Sequence, residues 1–174
     1  MMGDVVLRCH GLEYLSLANR TYWGGPRIPG HPQNSISDAR LAELRGLRTL
    51  KGIDLSGTDV TDESVVHLSE LPHLTWIYLD STKVTGAGIS QLAKLQGLRM
   101  LELNGCPISA DGFKELSQLR SATSLGLHNT GMTDENLNDL NSMPQLHILR
   151  IGKNVSHEAI QRFSEAHPGC KIER

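Results

Sequence analysis

Trp76, Tyr78 and Asp80 stand at alternate positions, and Met100, Glu102 and Asn104 repeat the spacing further along the chain. Alternate residues of a β-strand share a face, so each triplet is expected to project together. If the two segments are neighbouring strands, ~4.8 Å apart, their side chains form one contiguous patch. Asp54 precedes Tyr78 by the interval that separates Tyr78 from Glu102, and extends the patch on one side. His128 follows Asn104 by the same interval and Arg150 follows Glu102 by twice that interval, extending it on the other. The chemistry of such a patch is recognition. Trp, Tyr and Met are enriched at protein interfaces. The carboxylates Asp54, Asp80 and Glu102 give it a negative character, which suits a protein or peptide partner with a basic surface.

Residue types for catalysis are present but not assembled. The chain holds eight histidines and three cysteines. It contains no H-E-x-x-H, G-x-S-x-G or C-x-x-C sequence and no Gly-rich phosphate loop. His128 shares a strand column with Asp80 but lies two strands away, ~10 Å, too far to share a metal. No enzymatic activity, metal or cofactor is expected.

The elements that must position the patch come from a repeat. Aligned on apolar anchors, five segments begin at Leu50, Leu74, Leu98, Ala122 and Leu146, evenly spaced along the chain. A sixth copy starts at Leu12, breaks after Leu17 and resumes at Ile36. Each reads approximately L-x-x-L-x-L-x-x-T-x-V-T-x-x-x-x-L-x-x-L-x-x-L. The first stretch alternates, so pairs such as Ile53 and Leu55, or Ile77 and Leu79, point inward from a strand. The last has the three-to-four spacing of one helical face. Between them every copy carries a hydroxyl: Ser37, Thr61, Thr85, Ser109, Thr133 and Ser156. A hydroxyl ahead of a helical pattern is expected to cap it, and acids such as Asp38, Asp62, Asp111 and Asp134 in the first turn complement the helix dipole. The ninth position holds Thr58, Thr82, Cys106, Thr130 and Asn154. It is expected to form a buried ladder of hydroxyls with a thiol as one rung.

This pattern resembles the leucine-rich repeat family over nearly the whole chain. It is most similar to the 24-residue, Thr-containing repeats of bacterial and intracellular proteins, which are related to the repeats of F-box-type substrate receptors. No F-box-like helical segment accompanies them, so a ubiquitin-pathway role is not supported. The resemblance implies an α/β fold: a right-handed solenoid of about six repeats, with a parallel sheet on the concave face and helices on the convex face. It also implies a non-catalytic protein–protein interaction module that binds on the concave face. The alternative is a structural scaffold, or a fragment of a longer repeat protein, that stacks on further repeats or self-associates.

Residues 1–174 are expected to form a single domain. Residues 1–11 read as a cap or as the end of a partial upstream repeat, because Val6 and Cys9 precede Leu12 at the intervals at which Leu44 and Leu47 precede Leu50. Residues 170–174 read as a terminal strand, after Pro168 and Gly169 stop the last helix. Residues 20–33 are an insert. Leu17 to Ile36 spans 19 positions where Leu55 to Val60 spans five, and three of the seven prolines fall there. Tyr22, Trp23, Arg27 and His31 make it either a cover for apolar surface or a binding loop at the rim.

Composition narrows the partners. With a net charge of -2 and no basic run, nucleic acid is not expected. No apolar stretch approaches the ~20 residues that cross a membrane. Cys9, Cys106 and Cys170 are an odd number set far apart in the repeat, so a disulfide framework is not expected and a reducing, cytoplasmic location is.

Overall fold

The computed structural model of the chain describes residues 11–18 and 36–174. Cys9 and the insert residues Tyr22, Trp23, Arg27 and His31 lie outside the described residues. The rest forms seven strands: β1 (Tyr14–Ser16), β2 (Gly52–Asp54), β3 (Trp76–Tyr78), β4 (Met100–Glu102), β5 (Ser124–Leu127), β6 (Ile148–Ile151) and β7 (Lys171–Glu173). They make one sheet in chain order, every neighbouring pair parallel. The returning segments include helices α1 (Asp38–Leu41), α2 (Asp62–Leu68), α3 (Ala110–Leu116), α4 (Asp134–Asp139) and α5 (His157–Ala166).

The constant repeat length sets the register. Ile53, Ile77, Leu101, Leu125 and Leu149 sit side by side on successive strands. All are at most 1% exposed, as are Leu55, Leu79, Leu103 and Leu127. The helical Leu, Ile and Phe side chains close the same core, Leu68, Ile89, Leu92, Phe113 and Leu116 among them. No single turn could bury these faces alone; stacking makes them one continuous core.

The ninth-position ladder is present through four rungs. Thr58, Thr82 and Thr130 are buried, and each hydroxyl donates to the carbonyl three residues back, at 2.6, 2.8 and 2.8 Å. The Cys106 thiol takes the fourth rung, donating to the Leu79 carbonyl at 3.0 Å. Asn154, expected as a further rung, is exposed instead. Among the described residues no further rung lies against it. Thr82→Val should therefore cost about 1–2 kcal/mol in urea melts, since the Leu79 carbonyl keeps only the weaker thiol donor. A neutral substitution would show that the hydroxyl contributes no net stability.

The caps depart from expectation in two places. Ser109 and Ser156 do accept from the amides of Gly112 and Ala159, each at 3.1 Å. Ser37 makes no such bond. Thr85 caps nothing: its repeat carries a 3-10 helix, Ile89–Lys94, which starts after Gly88 in a left-handed conformation (φ 78°). Gly86 and Gly88 occupy the turn in which the other helices begin, and both have positive φ, so an α-helix cannot start there. The acids also do more than complement the dipole. Asp62 accepts from the Thr85 amide at 3.0 Å and its hydroxyl at 2.6 Å, and from the Gly86 amide at 3.0 Å. Asp38 does the same for Thr61 and also takes the Ser64 hydroxyl. Asp134 does so for Ser156. Each acid thus ties its own turn to the next.

Candidate interaction site on the open face of the sheet

The strand residues that point away from the core form two rows across the sheet. One runs Tyr14, Gly52, Trp76, Met100, Ser124, Ile148, Lys171. The other runs Ser16, Asp54, Tyr78, Glu102, Gly126, Arg150, Glu173. The structure therefore brings Asp54, Trp76, Tyr78, Met100 and Glu102 together, with Asp80, Asn104 and His128 at the ends of their strands.

Each row contains a glycine, and at each the neighbouring side chains meet across the gap. Tyr14 and Trp76 stack over Gly52, ring centroids 5.4 Å apart and 16° from parallel. A Cβ at Gly52 would lie 2.8 Å from the Tyr14 ring and 3.4 Å from the indole, so no side chain fits between them. The rings cover each other in part, yet Tyr14 remains 52% exposed and Trp76 38%. Offset stacking of this kind holds an aromatic platform rigid at little entropic cost.

Over Gly126 the meeting pair is ionic. Arg150 reaches two strands back, its Nη1 2.7 Å from Glu102 Oε1, while its Nε lies 3.0 Å from Glu173 Oε2. A Cβ at Gly126 would overlap the Glu102 carboxylate. Asn104 Nδ2 donates to the other Glu102 oxygen at 3.0 Å. Lys171 adds a 2.7 Å contact to Glu173. Glu102 is thus buried and satisfied on both oxygens. Burial pushes its carboxyl above the ordinary range; Asn104 and Arg150 pull it back without cancelling the shift.

Asp80, Asn104 and His128, just past the ends of successive strands, are linked side chain to main chain. Asp80 Oδ1 accepts from the Asn104 amide at 2.8 Å, and Asn104 Oδ1 accepts from the His128 amide at 2.9 Å. Burial raises Asp80 above its usual range, and the nearby charge of Asp54 adds to this against the Asn104 hydrogen bonds. Asp54 accepts from the Ser56 amide at 3.0 Å. Among the described residues neither Asp54 nor Asp80 has a cationic partner. Between them the Tyr78 phenol is pushed up, by burial first and then by the charges of Glu102 and Asp54.

No family model and no curated protein matches this sequence. Solved structures do. An internalin (InlF) from Listeria monocytogenes superposes with a TM-score of 0.59 at 20% identity, over 76% of this chain and 36% of its own. Internalin C2 from the same species gives 0.56 at 26% identity, over 75% of this chain and 54% of its own. The fold is a leucine-rich repeat solenoid. The chain spans about a third and about half of the lengths of these two proteins.

Within the leucine-rich repeat frame, period and register place Asp54, Trp76, Tyr78, Met100, Glu102 and Arg150 on one side of the sheet, with Asp80, Asn104 and His128 just beyond the ends of their strands. What the period did not reveal is which side chains meet. Tyr14 joins Trp76, and Glu173 joins Arg150 and Glu102. The signal that could have found the Tyr14–Trp76 and Glu102–Arg150 meetings, though not Glu173, is a glycine in an outward column, which leaves room for its two flanking residues to touch. Among the described residues no cluster of His, Cys, Asp and Glu is arranged to hold a metal, and no helix is long and apolar enough to cross a membrane.

Proposed function

We propose that this chain is a non-catalytic interaction module whose open sheet face, centred on Trp76, binds a protein or peptide with a basic surface. One observation carries the proposal. Tyr14, Val66 and Trp76 are the exposed large hydrophobics among the described residues, and two of them stack on one spot of this face. A rigid, half-exposed aromatic pair, with Tyr78 and Asp54 on the neighbouring row of the face, has the composition of an interface anchor. The resemblance to internalins, themselves built on the same repeat fold, supports a repeat surface used for contact and not for chemistry.

Peptides selected from a random library on the intact chain supply the test. Trp76→Ala should weaken their binding by about 2 kcal/mol, roughly thirty-fold in Kd. Its urea midpoint should change little, because the indole lies outside the core. A variant that loses stability but binds unchanged would show that Trp76 only shields the sheet.

A further inference from the structure

The two halves of the open face differ in charge state, and this specifies the partner more closely. Toward the C-terminal end, Glu102, Arg150, Glu173 and Lys171 neutralise one another. Glu102 is held by Arg150 and Asn104 with its side chain only 7% exposed, so it is a wall and not a ligand. Toward the N-terminal end, neither Asp54 nor Asp80 forms an ion pair with a Lys or Arg among the described residues. They flank Tyr78: Asp54 is its partner on the neighbouring strand, and Asp80 follows it by two residues. Strand spacing and rise put the two acids ~8 Å apart diagonally. The aromatic pair Tyr14 and Trp76 borders the same spot.

Resting on the interaction reading above, we propose that this half of the face seats an arginine side chain of the partner, with its guanidinium over Tyr78 between Asp54 and Asp80 and its stem along Trp76. Three features select arginine over lysine. A planar guanidinium stacks on aromatic rings and is more weakly hydrated than an ammonium. Its fork of donors can reach two acids, where an ammonium is a compact point charge. A half-buried site favours the cation that gives up its water more readily. Burial first, and the charge of Asp54 as a lesser cause, hold the Asp80 carboxyl above its ordinary range, and a cation seated beside it would oppose both. Arginine binding should pull Asp80 down, a shift readable by carboxyl NMR.

The test uses the intact chain and a random dodecapeptide library, panned at about 150 mM salt to suppress long-range attraction. Selected peptides are resynthesised with each arginine as arginine, lysine or citrulline, which keeps the shape but has no charge. Arginine should be enriched, one position should lose at least ten-fold in affinity as citrulline and about three-fold or more as lysine, and Asp54→Asn with Asp80→Asn should remove that discrimination. Peptides that bind equally well with citrulline but are weakened by Trp76→Ala overturn the arginine seat and leave the interaction reading standing. A panel with no member sensitive to Trp76→Ala overturns both. Glu102→Gln, if it removes the discrimination as fully as the two aspartate changes, places the seat on the wrong half of the face and also overturns the proposal.

Discussion

Arg150→Met should destabilise the protein by about 3 kcal/mol at neutral pH. The guanidinium is the cation facing Glu102, whose side chain is only 7% exposed. Removing it leaves a carboxylate buried with Asn104 as its remaining side-chain donor. The cost of the pair itself is a separate matter: desolvating two charges offsets much of their attraction. Arg150→Met with Glu102→Leu should therefore recover most of the loss. The pH dependence has a definite sign. Glu102 already titrates above its ordinary range through burial, and without Arg150 it should rise further. A carboxyl raised on folding costs stability above its folded pKa, and the cost disappears once it is protonated in both states. The deficit of Arg150→Met relative to wild type should thus shrink as pH falls toward about 4. The comparison is made at each pH, because Asp38 and Asp134 titrate below their ordinary value and their contribution is lost on acidification in both proteins. For Asp38, burial opposes this lowering but is outweighed by Ser64 and Thr61. For Asp134 the hydrogen bonds from Ser156 lead. Urea melts at the two pH values check this; an Arg150→Met protein as stable as wild type at neutral pH would mean that Glu102 turns out to solvent at little cost.

The second large effect is expected at Gly112. In an ordinary helix Gly→Ala stabilises by about 0.5–1 kcal/mol. Here the sign should reverse, with Gly112→Ala losing about 2–3 kcal/mol. A Cβ would stand 2.5 Å from the Thr85 carbonyl oxygen and 3.0 Å from the Gly86 Cα. Both are backbone atoms, and the Thr85 carbonyl accepts the Ser109 amide at 2.9 Å, so yielding would pull the turns apart. The position explains the need. Asp38, Asp62 and Asp134 bridge to the following turn, but Gly86 and Ala110 occupy the same place in their repeats and have no carboxylate to do so. Between these turns close backbone approach takes over. Gly46→Ala, which meets nothing within 4 Å, is the control and should be near neutral. A stabilised Gly112→Ala, read from the same denaturant series, would contradict the packing.

Much of this architecture was legible before any coordinates. A repeat that keeps its phase puts equivalent residues on adjacent strands, so Ile53, Ile77 and Leu101 had to align, and Trp76 had to neighbour Met100. Thr82 could be assigned to the interior because its position recurs just after the inward-facing Leu79. The register predicted for Asp54, Tyr78, Glu102 and Arg150 rests on the same periodicity. Less legible were departures that depend on neighbours. The 3-10 turn at Ile89–Lys94 follows from two left-handed glycines within a pattern whose Leu spacing still reads as helix. The exposure of Asn154 goes with the lack of a further rung against it among the described residues.

The sequence by itself determined the columns: which residues point inward, which point outward, and which stand next to each other on successive strands. It could do so because stacked turns of equal length fix the backbone positions of equivalent residues. Only the tertiary structure decided the pairings within a column. Tyr14 leans over Gly52 to Trp76, and Arg150 crosses Gly126 to neutralise Glu102, leaving Asp54 and Asp80 as the acids of the face without a cation among the described residues. The physical reason is that periodicity constrains Cα positions to a few ångströms, whereas a long side chain sweeps farther than one strand spacing. Where glycine leaves a column empty, the rotamer of the next residue but one, set by packing and charge, determines what the surface presents.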